Sequence, residues 1–197
     1  MTYVIKQYGL EQGALEIAYI EEFVPEFPRR KSAGDIVSRL QGREHLIQMA
    51  EAALPDDPAQ VVPVAYKVSH RLLADETDPA LADLAARLDG YVDLRSRKVL
   101  YSWIGGTRSD WRGLGFFRAL SEEQEAWAVT AGYDEIVVKT KNRFYEMRGT
   151  LDTLRYDVLK LEPHAADIRE AKVYLSKRLG ADVLDSHRSA RTVIQVG

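Results

Sequence analysis

The sequence contains no cysteine and no long apolar run, and its opposite charges nearly balance. Without cysteine there is no disulfide, no cysteine-ligated metal site and no thiol for a covalent intermediate. No run approaches the roughly 18 apolar residues that a membrane-spanning helix needs, and the first residues lack the basic and apolar regions of a signal peptide. A formal net charge of −3 at pH 7 gives no global attraction for nucleic acid or an acidic membrane. We therefore expect a soluble, cytoplasmic protein without nucleic-acid or membrane partners.

The histidines show no metal-ligand spacing. None of them belongs to a motif such as His-Glu-x-x-His, and the four stand far apart in the chain: His45, His70, His164 and His187. We therefore expect no metal site.

The length and the apolar content predict one compact domain over residues 1–197. A chain of 197 residues with 46% hydrophobic residues can bury a substantial core, but it is too short for two comfortable domains. No internal repeat, low-complexity tract or interdomain linker interrupts it.

Apolar periodicity predicts helices and strands in a mixed order. Predicted helices cover Leu10–Phe23, Ala33–Leu40 with Ser32 as its cap, Ala80–Leu88, Phe116–Ala131 and Arg143–Leu154. Predicted strands cover Tyr3–Tyr8, Leu46–Leu54, Val61–Val68, Val99–Ile104, Glu135–Thr140, Tyr156–Leu161, Ala171–Leu179 and Thr192–Val196. Leu46–Leu54 also fits a helix, but the turn that follows it favours a hairpin with Val61–Val68.

A glycine turn joins the strand Val99–Ile104 to the helix that begins at Phe116. Together with the strand Glu135–Thr140, it forms a strand, turn, helix and strand unit that fits a right-handed crossover between parallel strands. Glycines let backbone N–H groups approach a ligand closely, and the free N–H groups at the start of the helix favour an anion.

Two familiar phosphate-binding motifs do not fit this turn. Its segment Arg112-Gly113-Leu114-Gly115 has no third glycine and no repeated strand–helix–strand context, which argues against a Rossmann fingerprint. No Gly-Lys-Ser/Thr follows, so a Walker loop is also absent. A diphosphate held by backbone amides remains, with Arg112 and Arg118 able to add positive charge.

The segment Tyr101–Leu120 resembles the acyl-CoA-binding motif of the GNAT N-acetyltransferases. The family signature Arg/Gln-x-x-Gly-x-Gly/Ala maps onto Arg112, Gly115 and Phe117, where phenylalanine replaces the small residue. The later segment Ile136–Met147 is similar to the strand, asparagine and helix that form the other side of the cofactor cleft in that family.

The resemblance implies an α+β fold with a mixed, mostly antiparallel central sheet flanked by helices and splayed at the acyl-CoA cleft. It implies direct transfer of an acetyl or other acyl group from acyl-CoA to a primary amine in a ternary complex, without a metal. The acceptor is expected to be a small-molecule or peptide amine. The segment 73–97 is longer than a minimal member needs, and we expect it to form a lid or an oligomer contact, which includes a homodimer.

The same resemblance implies functional positions. Residues expected to contact the acyl-CoA are Ile104, Gly105, Gly106, Thr107, Arg112, Gly113, Leu114, Gly115, Phe116, Phe117 and Asn142. A backbone N–H within Ile104–Thr107 would stabilise the oxyanion. Glu22 and Glu26 are candidate general bases, because the loop after the first helix covers the acceptor site in the family. The tyrosine that many members place two helical turns after the asparagine is missing, so Tyr145 is the substitute general acid.

Several alternatives stay open at this point. The domain is an acyltransferase that uses acyl-CoA, a non-catalytic acyl-CoA sensor, or an acyltransferase that uses the thioester of a carrier protein. A basic cluster is either a contact for the 3′-phosphate of CoA or a solvated face. Its members are Lys139, Lys141, Arg143 and Arg148.

Overall fold

The computed structural model describes residues 3–25 and 30–187. In chain order the main elements are β1 (Tyr3–Gln7), α1 (Leu10–Glu21), α2 (Ala33–Leu40), β2 (His45–Ala53), β3 (Val61–Leu72), α3 (Pro79–Leu88), β4 (Val99–Thr107), α4 (Phe116–Thr130), β5 (Glu135–Lys141), α5 (Tyr145–Thr153), β6 (Asp157–Glu162) and β7 (Lys172–Arg178). The predicted strand Thr192–Val196 lies outside the described residues.

The strands form one seven-stranded sheet in the order β1-β2-β3-β4-β5-β7-β6. β4 and β5 pair in parallel, as the glycine turn and helix between them predict. β1 with β2, β5 with β7, and β6 with β7 are antiparallel pairs. The fold is therefore α+β with a mixed, mostly antiparallel sheet flanked by helices, which confirms the predicted class.

The parallel ladder between β4 and β5 covers only the first part of β4. Its register runs over four pairs, from Val99↔Glu135 to Ser102↔Val138, whereas β4 itself extends to Thr107. The splay expected beyond this ladder stays a prediction.

The chain divides into two compact units. Among the described residues, the first unit comprises residues 3–25, 30–69, 104–124 and 187, and the second comprises His70–Trp103 and Glu125–Ser186. Both are discontinuous in sequence. The single domain over 1–197 stays a prediction.

The core of the first unit lies between strands β1 to β3 and the start of α4. Its buried members are Ile5, Ala50, Ala52, Val64, Ala65, Trp111, Phe116, Ala119 and Leu120. α2 begins where the sequence predicts, because Ser32 and Asp35 form a reciprocal capping box. Burial of Trp111, Phe116 and the other apolar core side chains fixes the start of α4 against β1 to β3.

The second unit contains the segment 73–97, which forms α3 and a following loop. Asp78 caps α3 by accepting from the N–H groups of Ala80 and Leu81, and Pro79 occupies the first helical turn. The apolar face of α3 joins a core whose buried members are Leu72, Leu81, Leu84, Leu88, Val92, Val99, Tyr101, Val137 and Tyr174. A cavity of about 610 Å³ is lined by residues of this segment and by Arg178. The roles of the segment 73–97 as a lid or an oligomer contact stay predictions.

None of the helices in residues 3–25 and 30–187 is both long enough and apolar enough to cross a membrane.

Candidate active site

The glycine turn has the backbone conformation that only glycine adopts without strain. Gly113 and Gly115 have φ angles of 76° and 84°, and a Cβ added at either position would meet no atom within 4 Å. α4 begins directly afterwards, at Phe116. Its first intrahelical bond runs from the N–H of Ala119 to the carbonyl of Gly115. The amides of residues 116–118 precede that bond, so they belong to the turn of the helix that makes no intrahelical bonds.

A short 3₁₀ turn, Ser109–Trp111, leads from β4 into the glycine turn. The guanidinium of Arg108 donates to both carboxylate oxygens of Asp110, over 3.2 and 2.8 Å. These hydrogen bonds lower the pKa of Asp110. Trp111 is buried and its ring lies 6.3 Å from that of Phe116. This turn therefore anchors the glycine segment at its N-terminal side.

The two phenylalanines at the start of α4 have different surroundings. The ring of Phe116 is buried and packs edge-on against Tyr3, with 5.0 Å between ring centroids. Phe117 is half-buried, and its ring lies 4.4 Å from the ammonium of Lys67. Phe116 can therefore offer only its backbone to a ligand. The unexpected aromatic side chain at position 117 packs against a lysine of β3.

The end of β4 lies beside β3. Residues Ile104 to Thr107 are half-buried, and a Cβ added at Gly105 would lie 3.1 Å from the carbonyl oxygen of Tyr66. A side chain at position 105 would crowd this carbonyl, so glycine favours the close approach of the two strands. The backbones of β3 and β4 therefore lie close together at Gly105.

The candidate bases follow α1. The carboxylate of Glu22 accepts from the guanidinium of Arg30 over 2.6 Å, and its side chain is 62% exposed. Glu26 lies outside the described residues. The role of both as bases stays a prediction.

A neighbouring carboxylate, Glu21, was not expected from the sequence. It is buried, and it accepts from the hydroxyl of Tyr66 over 2.7 Å and from the N–H of Lys31. Burial, and then the charge of Glu21, raise the pKa of Tyr66. Glu21 stands four residues after the buried Ile17, on the apolar face of α1. This spacing is the sequence signal that indicates its burial. The contacts tie the end of α1 to β3.

Asn142 follows β5 in the second unit and holds the segment that precedes β7. Its side-chain amide donates to the carbonyl of Ile168 over 3.1 Å, and its side-chain oxygen accepts from Arg148. Its backbone N–H donates to the carbonyl of Ala171 over 2.8 Å. The described contacts of Asn142 are therefore structural, and its contact with acyl-CoA stays a prediction.

The basic cluster around Asn142 has partners within the second unit. Lys141 and Arg143 share the carboxylate of Glu170, over 2.6 and 2.9 Å. The hydrogen bond from Lys141 lowers the pKa of Glu170. The ammonium of Lys139 lies 6.0 Å from the ring of Tyr174, and burial lowers its pKa. These contacts account for three of the four cations of this cluster without a phosphate.

Tyr145 is the first residue of α5 and is 59% exposed. Tyr145 is thus not a core side chain. The positions at which the family often has a tyrosine are taken by Gly149, Thr150 and the fully buried Leu151. The role of Tyr145 as general acid stays a prediction.

Within residues 3–25 and 30–187, no three side chains of histidine, aspartate or glutamate converge as a set that could hold a metal ion.

Sequence comparison identifies no relative of this chain. No protein-family model matches the sequence, and no match was found among curated proteins.

Comparison of the fold with solved structures finds many matches. A chain of the NatC complex bound to Gag peptide and CoA aligns with a TM-score of 0.66 at 15% identity, over 91% of this chain and 100% of that one. NAA60 of Arabidopsis thaliana in complex with a bisubstrate analogue aligns with a TM-score of 0.66 at 12% identity, over 91% and 100% of the two chains. A putative GNAT-family acetyltransferase of Desulfovibrio desulfuricans aligns with a TM-score of 0.62 at 12% identity, over 91% and 100%. This protein therefore has the fold of the GNAT acetyltransferases.

Proposed function

We propose that this protein is an N-acyltransferase that moves an acetyl, or another acyl, group from acyl-CoA to a primary amine by direct transfer in a ternary complex. The observation that carries the proposal is the turn of Gly113 and Gly115, which leaves open space above the backbone and leads directly into α4. Such a turn suits a diphosphate, because backbone amides at a helix N-terminus favour an anion. The fold supports the same activity, since one similar solved structure binds CoA and a peptide and another is a putative GNAT-family acetyltransferase.

The proposed reaction exchanges one bond to the acyl carbon for another. The amine nitrogen bonds to the acyl carbon, the C–S bond breaks, and the thiolate of CoA takes up a proton while the amine loses one. The thioester is already activated, so most of the rate would come from holding amine and carbonyl in attack geometry. Well-oriented systems gain roughly 7–11 kcal/mol in this way. A mechanism of this kind needs no cysteine, in agreement with the composition.

We assign the roles as follows. The amides of the glycine turn and of the first turn of α4 hold the diphosphate, and a backbone N–H within Ile104–Thr107 stabilises the oxyanion. Asn142 contacts the acyl-CoA, Tyr145 protonates the departing thiolate, and Glu22 or Glu26 accepts the proton of the amine. The acceptor is a small-molecule or peptide amine.

An acidic substitution in the glycine turn tests the proposed CoA site. Gly115→Asp should abolish CoA binding in a calorimetric titration, because it strains the backbone and brings a carboxylate towards a diphosphate. Gly42→Asp is the matched control, since Gly42 also has a positive φ, of 74°, and equal open space around it. The control should bind CoA like the unmodified protein, and both variants should keep its circular dichroism spectrum. Unchanged CoA affinity in Gly115→Asp would rule out this site.

A second candidate function is a sensor that binds acyl-CoA without catalysis. The observation that favours it is the absence of tyrosine among Gly149, Thr150 and Leu151. Thiol release from acetyl-CoA, measured with a panel of amines, separates the two functions. Tight binding of acetyl-CoA without acceleration by any amine would favour the sensor.

An acyltransferase fed by a carrier protein is tested differently. The phosphopantetheine arm of a carrier shares the thiol arm of CoA but lacks its adenosine phosphate. Free CoA should therefore compete poorly with an acyl carrier, but should inhibit an enzyme that uses acyl-CoA.

A further inference from the structure

Lys67 is a charged side chain buried within the first unit. It lies in β3 and is only 2% exposed. Its ammonium donates to the hydroxyl of Ser121 in α4 over 2.9 Å and lies 4.4 Å from the centroid of the Phe117 ring. Burial of an ammonium is costly unless its surroundings replace the lost water. These contacts with α4 supply part of that replacement.

Both contacts lead to the same residue of α4. The hydroxyl of Ser121 accepts from Lys67 and donates to the backbone carbonyl of Phe117 over 2.8 Å. Lys67 therefore acts on the ring of Phe117 directly and on its backbone through one hydroxyl group. Phe117 is the second residue of α4 and stands two residues after Gly115. The lysine is thus linked to the helical turn that offers its amides to an anion.

The aliphatic part of Lys67 lies beside the end of β4. A Cβ added at Gly105 would be 3.7 Å from Cγ of Lys67. One side chain therefore packs against the strand that precedes the glycine turn and also contacts the helix that follows it.

We infer that Lys67 is a positioning residue of the acyl-CoA site: through Phe117 and Ser121 it holds the first turn of α4 in the geometry that binds the diphosphate. The inference rests on the proposed function. It also gives a physical reason for Phe117, which replaces a glycine or alanine of the signature. Only an aromatic ring presents a π-face to an ammonium, so the large residue and the buried lysine form a matched pair.

Substitution of Lys67 or Phe117 should weaken binding only of ligands that contain the diphosphate. Lys67→Met keeps most of the apolar stem but removes the ammonium, and Phe117→Leu removes the ring but stays apolar. Each should weaken CoA binding about tenfold, the range of a desolvated cation–π contact. The double variant should lose little more than either single one, because both remove the same interaction. Lys67→Arg should bind within about threefold of the unmodified protein, since a guanidinium also stacks on a ring.

Lys98 provides the matched control. In the second unit its ammonium lies 4.3 Å from the ring centroid of Tyr133 and donates to the carbonyl of Ala131 over 2.8 Å. Lys98→Met therefore removes a contact of the same kind that involves no residue with a proposed role in CoA binding. It should leave CoA affinity unchanged.

The measurements are calorimetric titrations with CoA and NMR titrations with S-acetyl-pantetheine, which has the thiol arm without the diphosphate. We expect Lys67→Met to weaken binding of CoA but not of S-acetyl-pantetheine. A general loss of structure would weaken both, and that result would overturn the positioning role. Thermal unfolding, followed by circular dichroism, reports the stability of each variant.

The possible failures are distinguishable. If the unmodified protein binds no CoA, the proposed function fails, and this inference fails with it. If the unmodified protein binds CoA and Lys67→Met binds it equally well, the inference alone is wrong. If Lys67→Met does not fold, Phe117→Leu decides, because its ring is only half-buried. Unchanged CoA affinity in a folded Phe117→Leu would overturn the inference.

Discussion

The glycine turn of the first unit and the Asn142 segment of the second unit offer their polar groups in opposite ways. Arg112 to Gly115 are exposed, and the two glycines leave their backbone open. In the second unit, the side chains of Lys141, Asn142 and Arg143 already make hydrogen bonds or ion pairs with residues 168–170 or with Arg148. A ligand at the turn can therefore approach the backbone of Gly113 and Gly115 directly, whereas a ligand at the Asn142 segment must compete with internal bonds for the side chains.

This difference predicts which positions affect ligand affinity and which affect stability. In the turn, a substitution acts through backbone conformation and should change ligand affinity. Around Asn142, it removes internal bonds and should first change stability. Tyr145 combines the two regions' properties, because it belongs to the second segment but has an exposed side chain.

The largest effect is expected for Tyr145→Phe. If Tyr145 is the general acid, loss of its hydroxyl should lower kcat about a hundredfold, the lower range for acid–base groups, while CoA affinity stays unchanged. Thiol release at saturating acetyl-CoA measures the rate. Tyr91→Phe is the control, since Tyr91 is 49% exposed and also belongs to the second unit. Equal rates for the two variants would show that Tyr145 takes no part in proton transfer.

A smaller effect is expected within the glycine turn. Gly113→Ala should weaken CoA binding about tenfold, because an alanine at a φ of 76° costs roughly 1–2 kcal/mol. Leu114→Ala should leave the affinity unchanged, although Leu114 is 49% exposed and lies between the two glycines. Calorimetric titration with CoA compares them. A greater loss for Leu114→Ala would mean that side chains, and not the backbone, form the site.

The smallest effect is expected for Glu170→Gln, which removes the carboxylate shared by Lys141 and Arg143. These side chains are 27% to 41% exposed, so solvent screens the ion pairs and the free energy of unfolding at pH 7 should fall only slightly. Urea denaturation measures it, and Glu146→Gln, an exposed carboxylate of α5, is the control.

The loss of stability in Glu170→Gln should depend on pH. The pKa of Glu170 is lowered from 4.5 in the folded protein, mainly by the hydrogen bond from Lys141. The carboxylate therefore stabilises the fold above its ordinary pKa, and this contribution is lost as the pH falls below about 4.5. The difference between Glu170→Gln and the unmodified protein should shrink over that range. A constant difference down to pH 2 would contradict the ion-pair explanation.

Local patterns predicted much of the fold. The cap at Ser32 and the limits of α2 agree with the structure, as does the parallel pairing of β4 with β5. α1 ends at Glu21, two residues before the predicted Phe23, and α5 is shorter than predicted at both ends. These differences lie at helix ends, where periodicity carries the least information.

Buried polar side chains were outside the reach of local patterns. Lys67 stands in a strand whose residues 64–70 are all buried, so alternation of apolar and polar residues does not report its two faces. β3 is an inner strand of the sheet, between β2 and β4. Likewise, Glu170 lies 27 residues after Arg143. Pairing over such a distance depends on the strand order, which a local window does not contain.

The sequence by itself determined the backbone features of this protein: the glycine turn, the helix that it opens, and the parallel strands that the crossover joins. These follow from short-range rules on φ angles, helix ends and chain connection. Only the tertiary structure decided which side chains make ion pairs or cation–π contacts within the protein. It pairs Lys141 and Arg143 with Glu170, and it brings Lys67 to Phe117, because these contacts arise from strand pairing and packing between residues far apart in the chain.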